Sequence, residues 1–254
     1  MAGAADALAI ELRDVTKSFG RVAVLAGVDL SVSRHSRVGI VGPSGGGKTT
    51  ILKIVAGLLD PDTGVARVGD AASPRQRLAR CALMPQRDLL LPWRTALDNA
   101  AIALQNQGLS RAEARNRTRP LFERFGLASF ENASPGELSG GMRQRVSFLR
   151  TLMADKDVLL LDEPFGALDS ITRAQMQEWL LRAMDAVPRT VLLVTHDVEE
   201  ALLLSRRVVV LSQRPGRVVA VLDADHRGDG SRREIVTSRE FVTLKEQALE
   251  ALGA

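Results

Sequence analysis

Gly42-Pro43-Ser44-Gly45-Gly46-Gly47-Lys48-Thr49-Thr50 decides how the rest of the chain is read. It follows Arg37-Val38-Gly39-Ile40-Val41, an apolar run of buried-strand type, and precedes a segment of helical apolar periodicity. The pattern G-x-x-x-x-G-K-[ST] therefore stands between a strand and a helix. Glycines at this density let successive backbone N–H groups turn into one cavity, and the helix that follows aims the positive end of its dipole at the same point. A polyphosphate fits there. Gly42, Pro43, Ser44, Gly45, Gly46, Gly47 and Thr50 are expected to line the cavity, with Lys48 reaching the β- and γ-phosphates and the Thr49 hydroxyl serving as a ligand of Mg²⁺.

The 254 residues are long for one domain and short for two, which suits one α/β domain carrying an inserted subdomain. Hydrophobic residues make up 45% of the chain, the composition of a soluble globular protein, and no apolar run approaches the roughly 18 residues a membrane span needs. Met1 to Leu12 has no basic stretch followed by an apolar core, so no secretion signal is expected. The single cysteine, Cys81, cannot form an internal disulfide, which fits a reducing cytosol. It reads as a small core residue rather than a nucleophile. The net charge of +4 raises nucleic acid as a partner, but the arginines are dispersed. Their densest cluster, Arg111 to Arg119, holds no aromatic residue on which a base could stack. No nucleic-acid partner is expected; the cluster reads as a solvated helix face, with anionic phospholipid head groups nearby as the other reading.

Leu8 to Val15 alternates as a half-buried strand should, and Val22-Leu25 and Val28-Val32 continue the pattern, predicting a small antiparallel sheet beside the nucleotide site. Phe19-Gly20 lies at the first turn, where Phe19 is either a core residue or a platform for a purine. Thr50 to Leu59 reads as helix, stopped by Asp60-Pro61-Asp62-Thr63-Gly64, and Val65 to Val68 and Cys81 to Met84 read as strands. Thr95 to Gln107 and Ser110 to Phe125 are helical, the second opened by a capping box in Ser110-Arg111-Ala112-Glu113. No strand pattern appears until Asp157, so residues 87–150 are expected to form a helical subdomain inserted between 1–86 and 151–254. Val158 to Leu161, Thr190 to Val194 and Val208 to Leu211 are short apolar runs separated by helices, as in a parallel sheet buried on both faces. Asp197 opens one of those helices; a terminal helix spans Thr237 to Leu252 with Thr237 and Glu240 at its start, and the region Arg227 to Arg233 is the plausible flexible connector.

Two further stretches carry chemistry. Leu138-Ser139-Gly140-Gly141-Met142 is a second glycine-containing loop at a helix N-terminus, hence a second place for an anion. Leu159-Leu160-Leu161-Asp162-Glu163 puts two carboxylates at the carboxyl end of a buried strand, where α/β sheets bind their ligands. Asp162 can hold Mg²⁺, and Glu163 is placed to polarise an attacking water.

Taken together the chain resembles the ATP-binding subunits of ABC transporters, with the motifs in order over nearly its whole length. The Walker A loop matches at Gly42 to Thr49, the Q-loop at Gln86, and the signature loop at Ser139-Gly140-Gly141. The Walker B strand matches at Leu159 to Asp162, the catalytic glutamate at Glu163, the D-loop at Ala167-Leu168-Asp169 and the switch histidine at His196. Within that family, Leu90-Leu91-Pro92-Trp93-Arg94-Thr95-Ala96-Leu97-Asp98-Asn99, Phe165-Gly166-Ala167-Leu168-Asp169 and Arg214-Pro215-Gly216-Arg217 are similar to importers of nitrate, aliphatic sulfonates, taurine and bicarbonate. Departures are Met142 for the usual Gln, Phe19 for the more common Tyr, Gly46 where Ser is commoner, and Phe148 and Leu149 at positions usually small.

The resemblance implies an α/β P-loop NTPase core with a mainly parallel sheet, an antiparallel β subdomain and an inserted α-helical subdomain. It implies an Mg²⁺-dependent ATPase that energises uptake of a small anionic solute; the alternative is a non-transport ATPase of the same fold acting in DNA repair, translation or iron–sulfur assembly. Catalytic roles fall to Glu163, His196, Gln86 and Lys48. Adenine stacks on Phe19; Ser139, Gly140 and Gly141 act on the nucleotide from a partner chain; Asp169 is a further nucleotide-binding residue; and the metal is held by Thr49, Gln86 and Asp162. The partners implied are an identical or paralogous ATPase chain, integral membrane permease subunits and, indirectly, a solute-binding protein, with the chain lying peripherally on the cytoplasmic face of the membrane.

Overall fold

The computed structural model describes residues 8–166, 168–186, 189–224 and 232–253. The chain opens with β1 (Leu8–Phe19), β2 (Val22–Ser33) and β3 (Arg37–Val41), followed by α1 (Lys48–Val55), β4 (Thr63–Val68), α2 (Pro74–Arg80) and β5 (Cys81–Met84). A helical stretch holds α3 (Ala96–Asn106), α4 (Arg111–Arg124), two short 3-10 turns and α5 (Gly140–Leu152). The remainder is β6 (Val158–Asp162), α6 (Ser170–Ala186), β7 (Thr190–Thr195), α7 (Val198–Leu204), β8 (Arg207–Leu211), β9 (Val218–Asp223), α8 (Arg232–Thr237) and α9 (Arg239–Leu252).

Two sheets form. One is antiparallel in the order β2-β1-β4; the other runs β5-β6-β7-β3-β8-β9, parallel except for the edge strand β9. Strand periodicity divides the larger sheet between two cores. Val158, Leu160, Leu192 and Val194 face α1 and the antiparallel sheet, whereas Leu159, Leu161, Val191 and Leu193 face the helical stretch. Every residue of β6 and β7 is buried, as in a parallel sheet covered on both faces. No described helix is long and apolar enough to cross a membrane.

Several expected boundaries move, each for a local reason. Val22-Leu25 and Val28-Val32 form one strand, because a bulge absorbs the interruption: β1 pairs Val15 with Val28 but Lys17 with Leu25. The first helix stops at Val55 rather than Leu59. Gly57, at φ 73°, turns the chain so that the Gly57 N–H donates to Ile54 O and the Leu58 N–H to Lys53 O, the two bonds of a Schellman ending. Helix α2 had no sequence assignment, although Ser73 and Gln76 form a capping box around Pro74. Its Arg77 is buried and donates to Ile54 O at 3.1 Å and to Ala66 O at 3.4 Å, tying α1 to β4. Strand β9 was likewise unassigned; its alternating exposure is that of an edge strand covered on one side. The last helix begins at Arg239 with Ser238 as its cap, not at Thr237, which ends α8. Of the expected connector Arg227 to Arg233, residues 227–231 lie outside the described residues, and Arg232 and Arg233 open α8.

Candidate functional site

The carboxyl ends of three neighbouring strands meet at one place. β3 ends at Val41 and delivers the loop 42–47, β6 ends at Asp162 and delivers Glu163, and β7 ends at Thr195 and delivers His196. Such ends are where α/β sheets bind ligands.

The loop is closely walled. A Cβ on Gly42 would lie 2.9 Å from Leu211 O, and one on Gly46 would lie 3.0 Å from Ser212 O and 3.1 Å from Pro43 O. Gly46 is the position where Ser is commoner in the family. Its setting is in fact tight, so a serine there requires these carbonyls to give by a few tenths of an ångström. Gly47, at φ 95°, adopts a conformation that side chains rarely tolerate. Beyond it Lys48 is buried, its Nζ donating to Gly42 O at 2.8 Å and Pro43 O at 3.0 Å. Burial lowers the Lys48 pKa, and the charges of Glu163 and Asp162 partly offset that. Ser44 and Gly45 are exposed at the tip, and Thr50 sits half-buried in the first turn of α1.

Thr49 Oγ1 donates to Asp162 Oδ1 at 3.0 Å. Burial raises the Asp162 pKa; the Thr49 bond opposes the shift and the Glu163 charge adds to it. A hydroxyl and a carboxylate oxygen at this spacing are hard donors of the kind Mg²⁺ selects, and Gln86 is held on the adjoining carboxylate, Glu163, through Nε2. These residues fit the ion.

Glu163 is where the remaining groups converge. Its N–H donates to Val194 O at 2.9 Å, with φ at 43°, a strained setting for a non-glycine residue. The same carboxylate oxygen, Oε2, accepts from Gln86 Nε2 at 3.0 Å and lies 3.2 Å from His196 Nδ1. The three residues come from separate stretches of the chain, and all three were named from sequence.

The other expected site residues lie apart from this cluster. Phe19 ends β1 with 52% of its surface exposed and Lys17 Nζ 5.8 Å from its ring centre, which removes the core reading of this residue. Ser139 caps α5, accepting from the Met142 N–H at 3.3 Å. Gly140 and Gly141 face Leu168 and Thr172, 3.4 and 3.1 Å from where a Cβ would stand. Among the described residues no hydrogen bond joins 139–141 to the phosphate loop. Asp169 Oδ1 accepts from the N–H groups of Ile171 and Thr172 at 3.1 and 3.0 Å, which lowers its pKa. Of the expected Ala167-Leu168-Asp169 loop, Ala167 lies outside the described residues.

Sequence reasoning missed two residues here. Arg173 donates to Leu168 O at 3.0 Å and reaches Asp197 Oδ2 at 3.7 Å, linking the loop before α6 to the residue after His196. Gly216 backs the phosphate loop: a Cβ there would lie 2.2 Å from Gly46 O. Arg214-Pro215-Gly216-Arg217 was legible only as a resemblance, and nothing in its composition points to the loop it supports.

Residues 25–166 match the family described as ABC transporter. A taurine import ATP-binding protein of Rhizobium johnstonii is 42% identical over 90% of this chain and 89% of its own length. An aliphatic sulfonates import ATP-binding protein of Rhodococcus jostii is 42% identical over 98% and 95% respectively. Among solved structures, a dimeric post-hydrolysis state of an ATP-binding cassette bound to ADP and Pi superposes with a TM-score of 0.73 at 29% identity, covering 86% of this chain and 99% of that one. With the phosphate loop, the paired acidic residues and the glutamine and histidine on one carboxylate, these likenesses lead to one conclusion: the chain belongs to the ABC transporter family.

Proposed function

We propose that this chain is the ATP-hydrolysing subunit of an importer of organic sulfonates such as taurine, attached peripherally to the cytoplasmic face of the membrane through separate permease subunits. The observation that carries the ATPase reading is the convergence of Gln86 and His196 on one oxygen of Glu163, beside the end of the strand that also carries Asp162. The solute class rests on the taurine and sulfonate relatives. The names of those relatives also disfavour the non-transport alternative.

Each residue has a physical task. The N–H groups of the loop and the α1 dipole bind the polyphosphate, and Lys48 exchanges its two loop carbonyls for phosphate oxygens. Thr49 and Asp162, with Gln86 Oε1, would hold Mg²⁺, which supplies charge neutralisation on the β- and γ-phosphates. Glu163 accepts the proton of the attacking water, Gln86 orients that water through the same carboxylate, and His196, holding Glu163 through Nδ1, keeps Nε2 for the γ-phosphate. Phe19 offers an exposed ring for adenine.

The loop 139–141 completes a second chain's site, so the working unit is a dimer of this chain with an identical or paralogous one. The dimeric cassette structures support this arrangement. Trp93, 77% exposed, and Leu89, 55% exposed, follow Gln86 directly and are the surface for the permease subunits, through which the chain acts indirectly with a solute-binding protein.

Glu163→Gln tests the reading. The variant should bind ATP, release no phosphate and accumulate an ATP-bound dimer by light scattering; adding Ser139→Arg should return it to monomers that still bind ATP, while Lys48→Ala should lose ATP binding itself. Turnover by Glu163→Gln comparable to that of the unaltered chain removes Glu163 as the base, and a Ser139→Arg double variant that still dimerises removes the shared site.

A further inference from the structure

Buried guanidinium groups are ordinarily matched by a carboxylate. Arg145 on α5, half-buried, has no such match among the described residues. Its Nε donates at 3.3 Å to Met176 Sδ, a weak acceptor, and its guanidinium carbon stands 5.9 Å from the centre of the Trp179 ring. Burial pushes its pKa down, and no carboxylate among the described residues offsets the shift.

Arg145 walls a groove of about 580 Å³ between α4, α5 and α6, which Arg124 and Arg182 also line. Among the described residues Glu178 is the one acidic residue of that lining, 3.7 Å from Arg182, in a pair with both side chains more than half exposed and so weak. The floor is aromatic: Trp179, only 9% exposed, meets Phe125 edge-on at 5.1 Å and Phe148 edge-on at 5.3 Å. The Trp179 indole N–H is buried with no acceptor among the described residues. Phe148, one of the departures noted in the sequence, is thus part of what fixes this ring.

We propose that the groove is a binding site for a small organic anion, an oxyanion group carried on an apolar body. The charged end pairs with Arg145, whose planar fork matches two oxygens of a sulfonate, phosphate or carboxylate, while Arg124 and Arg182 add charge at the rim. The apolar end lies on the floor of Trp179 and Phe125. The site shares no lining residue with the phosphate loop or with Gln86, Glu163 and His196. It nevertheless spans α5, which begins at the 139–141 loop, and α6, which begins directly after Asp169. A ligand held across the two helices fixes how both loops are presented to a partner chain, which makes the site regulatory.

The chain's two tryptophans are Trp93 and Trp179, so Trp93→Phe leaves Trp179 as the only indole reporter. In that variant, benzenesulfonate or phenyl phosphate should change Trp179 emission saturably. The tighter of the two identifies the preferred head group, and saturable binding of either supports the site. Benzenesulfonamide, with the ring but no charge, should give no such change, and inorganic sulfate, with the charge but no apolar body, should bind about tenfold more weakly or less. Arg145→Gln should weaken the anion by about tenfold or more; Arg124→Gln combined with Arg182→Gln, both at the exposed rim, should weaken it several-fold and keeps the test open if Arg145→Gln does not fold by circular dichroism. A response that does not saturate for either anion, an equal response to benzenesulfonamide, or an affinity unaltered by the double rim variant overturns the proposal.

Discussion

Gly216→Ala should damage ATP binding without changing any residue of the phosphate loop itself. Gly216 is clamped to β2 on both sides, its N–H donating to Val24 O at 2.8 Å and its carbonyl accepting from the Ala26 N–H at 3.1 Å. A Cβ at this position stands 2.2 Å from Gly46 O and 3.4 Å from Leu25 Cδ2. Relief needs the two backbones to part by about 1 Å or more. Gly46 cannot easily withdraw, because its N–H is bonded to Pro43 O at 3.1 Å and Ser212 O walls its other side. Overpacking of this kind costs about 1–3 kcal/mol. If the phosphate loop yields, that energy appears as an ATP affinity lower by about 5- to 150-fold. Titration with nucleotide and thermal unfolding of the nucleotide-free chain should be run side by side, with Gly136→Ala as control, since nothing lies within 4 Å of a Cβ there. A lower melting temperature with ATP affinity unchanged refutes the reasoning, because it means that β2 and not the phosphate loop absorbs the added methyl group.

Phe19→Ala should lose ATP affinity by about 1–3 kcal/mol, the scale of base–aromatic stacking, with little change in unfolding of the nucleotide-free chain; unchanged affinity removes the platform. For Glu200, burial pushes the pKa up to about 8, the Asp197 charge adds to the shift, Arg173 opposes it and Glu163 adds further. A carboxyl whose folded pKa is raised contributes stability that is fully present below its unfolded value, near 4.3, and is lost as pH rises through about 8. The melting temperature should therefore fall between about pH 5 and pH 8, and Glu200→Gln should flatten that slope; an equal slope in both chains excludes Glu200 as its source. Burial pushes the Cys81 thiol up to about 12, so the native chain should react with a thiol reagent far more slowly at pH 8 than the denatured chain; equal rates refute its burial.

The strand ends that build the site were legible because each is an apolar run too short for a helix and closed by a polar or glycine-containing turn, as at Val41-Gly42 and Leu161-Asp162. The side chains on those ends were legible because their chemistry is local: a lysine after glycines, two adjacent carboxylates, a histidine after a strand. Helix α2 escaped because its seven residues are mostly arginine and polar, so no apolar stripe marks it; only the Ser73 and Gln76 cap does. Strand β9 escaped because an edge strand packs one face only, and Val218-Val219-Ala220-Val221-Leu222 is apolar on both. Arg173 and Gly216 are invisible for a different reason. Their roles depend on a carbonyl at Leu168 and a carbonyl at Gly46, and no side-chain pattern encodes where a distant carbonyl will lie.

Main-chain carbonyls also connect the site to helix α5. Gln86 touches Glu163, but two residues later the chain is bound to α5 by several independent contacts. Asp88 accepts from Arg143 Nε at 3.1 Å, its carbonyl accepts from Arg150 at 2.5 Å and from the Ser147 hydroxyl at 3.3 Å, and Leu89 O accepts from Arg150 at 2.8 Å. Helix α5 carries Ser139 at its N-terminus, so a displacement of Gln86 has a short path of hydrogen bonds to the loop proposed to meet a partner's nucleotide. Burial lowers the Arg150 pKa and the Asp88 charge only partly offsets that, so the guanidinium depends on these carbonyls for its partners. Breaking them leaves a buried cation unmatched. The segment after Gln86 and α5 should therefore move together rather than part, and Leu89 and Trp93, exposed on that segment, should carry the movement to whatever docks on them.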